Sequence, residues 1–273
     1  VAESEIPLGK ATEYADTYTP SLLFPLNRAE ARAGMGITES LPFKGEDVWW
    51  CYELSWLASG GKPQVAALQI NVPCSSPCIV ESKSLKLYLN SFAQTRFNNK
   101  AEVLATLNSD LSVAFRSPIL VQLLELNQLP VVSDHLPGFC LDGLDLETDT
   151  YEVDAGLLSV DEGEERRVKE TLFSHVFRSL CPVTGQPDFA TVIVRYLGRP
   201  IARASLLRYL VSYRCHQAFH EAAVEQIFMD IAHHCRPEQL SVTGRFLRRG
   251  GIDINPFRSN VDERAAEIRL PRQ

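Results

Sequence analysis

Cys181 opens the string Cys181-Pro182-Val183-Thr184-Gly185-Gln186-Pro187-Asp188, where a thiol, a turn and a carboxyl lie within eight residues. A loop thiol with an Asp and a His in reach can act as a nucleophile with proton donors beside it. It can also be a buried cysteine packing as a small hydrophobe, and the residues alone leave both readings open. His216 and His220 stand four apart in His216-Gln217-Ala218-Phe219-His220-Glu221, with Cys215 before them and His233-His234-Cys235 beyond. Two imidazoles on one helix face could hold zinc, but Gln217 stands where the general-base Glu should follow the first His. No Cys-x-x-Cys exists either, so no metal is expected. Glu81-Ser82-Lys83-Ser84-Leu85-Lys86 reads as a solvated helix start or as an anion site of hydroxyls, ammonium groups and free N–H groups. Arg248-Arg249-Gly250-Gly251 divides the same way, into an exposed basic turn or a phosphate clamp. Gly34-Met35-Gly36 lacks the third glycine of a dinucleotide fingerprint, and there is no P-loop.

The 273 residues that must position these groups are enough for two domains. Hydrophobic residues at 45%, charged residues at 22% and a mean hydropathy of −0.08 describe a chain with a real core. They exclude a disordered chain, a collagen-like fibre and a disulfide-stapled miniprotein. No run approaches the roughly 18 apolar residues of a membrane span. VAESEIPLGK at the N-terminus has neither a basic start nor an apolar stretch, so no secretory leader is expected in it. Seven irregularly spaced cysteines fit a reducing compartment, and the cytoplasm is the expected location.

A net charge of −7 argues against a general nucleic-acid binder, but the charge is uneven. Residues 142–165 hold ten Asp/Glu and no Lys or Arg. Setting those ten aside from the 34 acids leaves the 27 Lys/Arg in excess by three. This acidic run is the candidate linker, 141–165, between a module at 1–140 and another at 166–273. A small anionic ligand remains compatible with the rest.

Two diverged copies of one module are legible. At a shift of 121, Ser84/Ser205, Leu85/Leu206, Tyr88/Tyr209, Leu89/Leu210, Ser91/Ser212 and Phe92/Tyr213 fall into register. Gly61 and Pro63 match Gly185 and Pro187 at 124, and Asp110/Asp230 and Arg116/Arg236 match at 120. Each copy, at about 40–130 and 165–258, reads as a strand pair with a Gly/Pro turn and then two helical stretches. In the second copy the strands are 174–180 and 189–196, and the helices are 205–217 and 219–235. A further strand pair at 240–256 turns at Gly250-Gly251. That order predicts an α+β fold with antiparallel four-stranded sheets whose edges need partners.

Taken together, ESKSLKLYLNSF at 81–92, CPVTGQPDFAT at 181–191, FHE at 219–221 and RRGGIDINPFRSN at 248–260 closely resemble the NADPH-dependent 7-cyano-7-deazaguanine reductases. These are the nitrile reductases of queuosine biosynthesis, and the chain resembles their long, two-module form. The resemblance implies tandem tunnelling-fold modules in a homodimer, with one site assembled from both halves. The first copy keeps the Glu81 motif and has Leu57 at the Cys position; the second keeps Cys181 and has Ala202-Arg203-Ala204-Ser205 in place of the other motif. Implied roles are Cys181 as nucleophile, Asp188 as general acid and His220 as proton donor or relay. Val80, Glu81, Ser82, His220 and Glu221 would bind the substrate. Ser82, Lys83, Arg249 and Gly250 would bind NADPH, used twice per turnover, without a metal. The family acts on the free base, so neither direct nucleic-acid nor membrane contact is implied. Ala222-Ala223 after FHE, and Cys74 and Cys78 before the Glu81 motif, depart from the family pattern away from the expected catalytic positions. A zinc-dependent purine or pterin hydrolase of the same superfamily, or a non-catalytic purine-binding module, are the alternatives.

Overall fold

The computed structural model describes residues 14–163, 166–266 and 268–273. The leader reading of VAESEIPLGK falls outside the described residues, as do Glu164 and Glu165 at the end of the acidic run. The chain divides into two compact units that interleave in sequence. Val1–Ala31, Asp47–Val131 and Arg248–Ile254 form the first; Arg32–Glu46, Val132–Leu247 and Asn255–Gln273 form the second.

The elements up to the end of the first unit's main segment are β1 (Pro25–Asn27), α1 (Ala29–Gly34), β2 (Lys44–Ala58), β3 (Pro63–Pro73), β4 (Cys78–Val80), α2 (Ser82–Asn90), β5 (Arg96–Phe97), α3 (Lys100–Phe115) and β6 (Leu120–Leu124). There follow β7 (Phe139–Cys140), β8 (Val168–Ser174), β9 (Arg178–Leu180), β10 (Pro187–Gly198), α4 (Arg203–Ser212), α5 (His220–His234), β11 (Gln239–Phe246) and β12 (Ile252–Ser259). The expected α+β class is what forms. In the first unit the strand order is β6, β3, β2 and then the start of β12. Its core gathers Trp49, Leu54 and Trp56 of β2, Leu68 and Ile70 of β3, and Ile252 and Ile254 of β12. Leu85 and Tyr88 of α2, with Val103, Leu107 and Leu111 of α3 at helical spacing, close it from the helix side. Burying each such large side chain contributes roughly 1.5–3 kcal/mol.

In the second unit the order is the end of β12, β11, β10, β8 and β7, with β9 pairing the start of β10. All these pairs are antiparallel except β7 with β8. The expectation of two separate four-stranded sheets is therefore corrected. β12 pairs β11 only from Phe257 to Ser259, while its first residues belong to the first unit's core, so one strand serves both units. Helix α5 packs its Val224, Ile227, Phe228 and Ile231 inward. Glu225 of α5 is buried and accepts from Arg32 and Arg258, which anchors the helix to β12. Leaving such a buried charge unmatched would cost several kcal/mol.

Two local expectations also change. The strand expected at 174–180 is broken, because Val192 pairs with Ser174 but Phe189 pairs with Arg178. Three steps on β10 thus face four on the other chain, which is a β-bulge. The helix expected at 205–217 ends at Ser212, passes through a 3-10 turn at Tyr213–Cys215, and is extended by His216. Leu180 then takes the backbone partners His216 and Ala218, so a ladder replaces the last helical turn.

The repeat is visible atom by atom. Tyr88 donates to Asp110 at 2.7 Å, and Tyr209 donates to Asp230 at 2.5 Å. Ser84 donates to the Glu81 carbonyl and accepts from Phe24 N–H; Ser205 does the same with Ala202 and Ser159. Ser91 accepts from Thr19 N–H as Ser212 accepts from Asp154 N–H. The acidic run is therefore held along the second unit by the same contacts that hold residues 19–24 along the first. Arg116 and Arg236, following α3 and α5, have φ of 53° and 50° and are the two non-glycine residues of positive φ among those described. A left-handed L-residue carries a penalty of roughly 1–2 kcal/mol, partly matched by glycine's greater unfolded-state entropy. Arg116→Gly and Arg236→Gly should each raise stability by about 0.5 kcal/mol, read from urea melts. A loss in both variants would refute this strain argument.

Candidate active site

Cys181 follows β9 directly and starts a closed loop. Its N–H donates to the Gln186 carbonyl at 2.8 Å, and its own carbonyl accepts from Gly185 N–H at 2.9 Å. Gly185 makes the return possible with φ +66°, a conformation in which side-chain-bearing residues are strained. The thiol-bearing residue is 3% exposed, so the loop presents it inside the fold rather than at the surface. Because Leu180 is laddered to residues 216–218, the chain enters α5 at Phe219–His220 only a residue beyond that ladder.

Asp188 lies opposite Ser179 in the β9–β10 pairing and is 4% exposed. Its Oδ2 is 3.4 Å from His220 Nε2. The His220 ring lies flat on Phe246, with centroids 3.9 Å apart and planes at 9°. Its Nδ1 is buried and has no hydrogen-bond partner among the described residues. Gly244, two residues before Phe246, lets β11 approach α5: a Cβ there would sit 2.7 Å from Val224 Cγ2 and 2.8 Å from the Phe246 ring. Glu221 is buried in the first turn of α5, where the helix N-terminus favours a carboxylate. Asp188 and His220 are thus brought together in the second unit, with an imidazole able to exchange a proton with a buried carboxyl; Glu221 follows His220 in α5, and Cys181 opens the loop that leads to β10.

The remaining expected residues lie in the first unit. Val80 is buried in the hydrophobic core, paired with Pro25 of β1. Glu81 is 1% exposed and caps α2, one oxygen accepting from Lys83 N–H at 2.7 Å and the other from Ser84 N–H at 2.8 Å. Burial pushes its pKa above the ordinary carboxylate value, while those N–H bonds and Lys83 pull the other way. Oε1 also accepts from Ser82 Oγ at 3.5 Å, while Oε2 retains a second lone pair for an N–H donor. The second copy has Ala202 at this cap and makes no such bond.

Ser82 and Lys83 begin α2, and its Lys86 reaches the Arg249-Gly250 turn. A Cβ on Gly250 would meet Lys86 Cδ at 3.0 Å, and one on Gly251 would meet Glu53 Cδ at 2.5 Å. Both glycines have positive φ, at 56° and 78°. Arg248 stacks its guanidinium over Tyr52 at 3.8 Å, and Lys86 pairs with Glu53 at 3.4 Å. A basic, glycine-dependent turn suits an anionic phosphate, and of the four residues expected to bind NADPH it contains Arg249 and Gly250, while Ser82 and Lys83 stand in the first turn of α2.

The zinc reading on His216 and His220 is not supported, because residue 216 is extended and the two imidazoles share no helix face. Phe246 was missed by sequence reasoning. Its only signal was alternation within β11, which does not say that an aromatic ring will floor an imidazole. Glu81→Ala should remove both cap bonds and cost about 1 kcal/mol; an unchanged urea midpoint would show that the cap contributes nothing.

Comparison with known proteins agrees in both halves. A family model described as nitrile reductase, 7-cyano-7-deazaguanine-reductase N-term, matches residues 14–123, and one described as QueF-like protein matches 187–265. The chain is 54% identical over 263 residues to the NADPH-dependent 7-cyano-7-deazaguanine reductase of Dechloromonas aromatica (strain RCB), covering 96% of this chain and 92% of that protein. It is 53% identical over 259 residues to the protein of the same name from Burkholderia orbicola (strain MC0-3), covering 94% of each.

Proposed function

Since the chain belongs to the NADPH-dependent 7-cyano-7-deazaguanine reductase family, we propose that Cys181 is the nucleophile of a covalent nitrile reduction. The enzyme reduces 7-cyano-7-deazaguanine with NADPH in queuosine biosynthesis. A nitrile is a weak electrophile, and direct hydride addition would leave a poorly stabilised anion. In the proposed route Cys181 first loses its thiol proton to solvent, and the thiolate then bonds to the nitrile carbon while the nitrogen takes a proton from Asp188, giving a thioimide. Two NADPH molecules in turn would each supply one hydride when bound, the first to the thioimide carbon and the second to the later imine carbon. Between them the C–S bond breaks, returning the electron pair to Cys181 and leaving the imine. His220, in reach of Asp188, relays the protons that the nitrogen gains on its way to the 7-aminomethyl product.

Glu81 and Glu221 offer acceptor oxygens to the N–H donors of the 2-amino-pyrimidinone edge, with Val80, Ser82 and His220 alongside. Ser82, Lys83, Arg249 and Gly250 hold the NADPH phosphates. No step runs through a metal. The reading extends to two tunnelling-fold modules, 1–140 and 166–273, that act only together, in a cytoplasmic homodimer working on the free base. Net charge −7 disfavours a polyanionic partner, and among the described residues no helix is long and apolar enough to cross a membrane.

The observation that carries this reading is the buried Cys181 loop leading into β10, whose Asp188 Oδ2 lies 3.4 Å from His220 Nε2. Intact mass measured after mixing with 7-cyano-7-deazaguanine, without NADPH, should show a wild-type adduct of substrate mass and none in Cys181→Ala. No wild-type adduct, or one that survives in Cys181→Ala, would sink the covalent route. With NADPH added, two equivalents should be oxidised per amine formed; a ratio of one would refute the two-hydride scheme.

A further inference from the structure

Outside the residues used above, one cluster of metal-ligating side chains stands out in the second unit. Cys140, Asp142 and His175 each offer a ligand atom, and these atoms all lie within 4.8 Å of one another. Their proximity is built from the backbone. β7 runs parallel to β8, with Phe139 beside Leu172 and Cys140 beside Phe173, so residues 140–142 lie against the end of β8 and His175. Gly138, with φ +127°, allows that approach: a Cβ there would be 2.5 Å from the Thr171 carbonyl oxygen.

The supporting contacts orient the ligands. Asp142 Oδ1 accepts from Ser174 Oγ at 2.6 Å, and its two oxygens accept from His175 N–H at 3.2 and 3.0 Å. Thr191 Oγ1, 2.8 Å from His175 Nδ1, fixes the imidazole. Cys140 meets the backbone N–H and the carboxylate of Asp142. Hydrogen bonds of this kind hold ligands in productive orientations at metal centres.

We propose that Cys140, Asp142 and His175 bind a divalent transition metal of the zinc class, as a clip fastening residues 139–142 to β8. A tetrahedral ion about 2.0–2.3 Å from each donor sets them roughly 3.3–3.8 Å apart, a small contraction from the observed cluster. One thiolate, one imidazole and one carboxylate select zinc or cobalt over magnesium or calcium, which need all-oxygen shells. Water completes the fourth position. On binding, the Cys140 S–H bond breaks, the proton leaves to solvent and the sulfur pair goes to the metal. All three ligands are half-buried, so an ion has access from solvent.

The test uses the full-length protein stripped of metal with a chelator and titrated with Co²⁺. Wild type should take up one equivalent with a near-ultraviolet thiolate-to-cobalt absorption band, which Zn²⁺ then bleaches. Cys140→Ser should lose the band, and His175→Ala and Asp142→Asn should each bind about tenfold more weakly or worse. Cys215→Ser, removing the exposed thiol, should leave the titration unchanged. Asp142→Asn preserves the shape of the carboxylate and so reports on ligation even where Cys140→Ser folds poorly. Absence of the band in wild type, its persistence in Cys140→Ser, or unaltered affinity in Asp142→Asn would overturn the assignment.

Discussion

Strand β10 meets Ser174 of β8 at Val192 and Arg178 of β9 at Phe189, so the opposing chain carries one residue more than the ladder can pair. That surplus residue bends the strand and ends its run at Leu180, where the ladder to residues 216–218 takes over. The Cys181 loop, the buried Asp188 and the entry to α5 all follow from this one change of partner. Had the strand continued straight, Cys181 would be one more alternating residue in a sheet. Bulges commonly re-aim side chains next to active sites, and this one does so by moving the pairing, not the residue.

The repeat shows which parts of a module are scaffold and which are site. Tyr88–Asp110 and Tyr209–Asp230, the paired serines and the left-handed arginines recur in both copies. They fix how the helices stand and carry no chemistry of the reaction. The differences lie at the caps and loops: Glu81 against Ala202, and Cys181 against Leu57. Each copy has kept the framework and specialised one corner of it.

Much of this was legible in residue order, for identifiable reasons. Helix α5 announces itself through apolar spacing, and the repeat places Tyr209 and Asp230 by analogy with Tyr88 and Asp110. The bulge at 175–177 was not legible, because apolar and polar residues still alternate roughly through it. The early end of α4 was hidden as well: Tyr213 and His216 continue a tolerable helical pattern, and only the ladder at Leu180 overrides it. Glu81 was read as a ligand-binding carboxylate, while its work as a helix cap emerges only once its backbone partners are in place. The sheet expectation failed because pattern says where strands are, not which unit each half of a long strand will serve.

That divided strand has a consequence for synthesis. The chain is made from its N-terminus, so β2, β3 and β6 emerge long before Ile252–Ile254. Until Ile252–Ile254 have left the ribosome, the length of β2 that will receive β12 lacks that strand, and the apolar sites of Ile252 and Ile254 are unfilled. Open edges of this kind are where nascent chains pair wrongly with one another. The first unit, although most of it is translated first, therefore waits for a strand that follows the long Val132–Leu247 segment of the second.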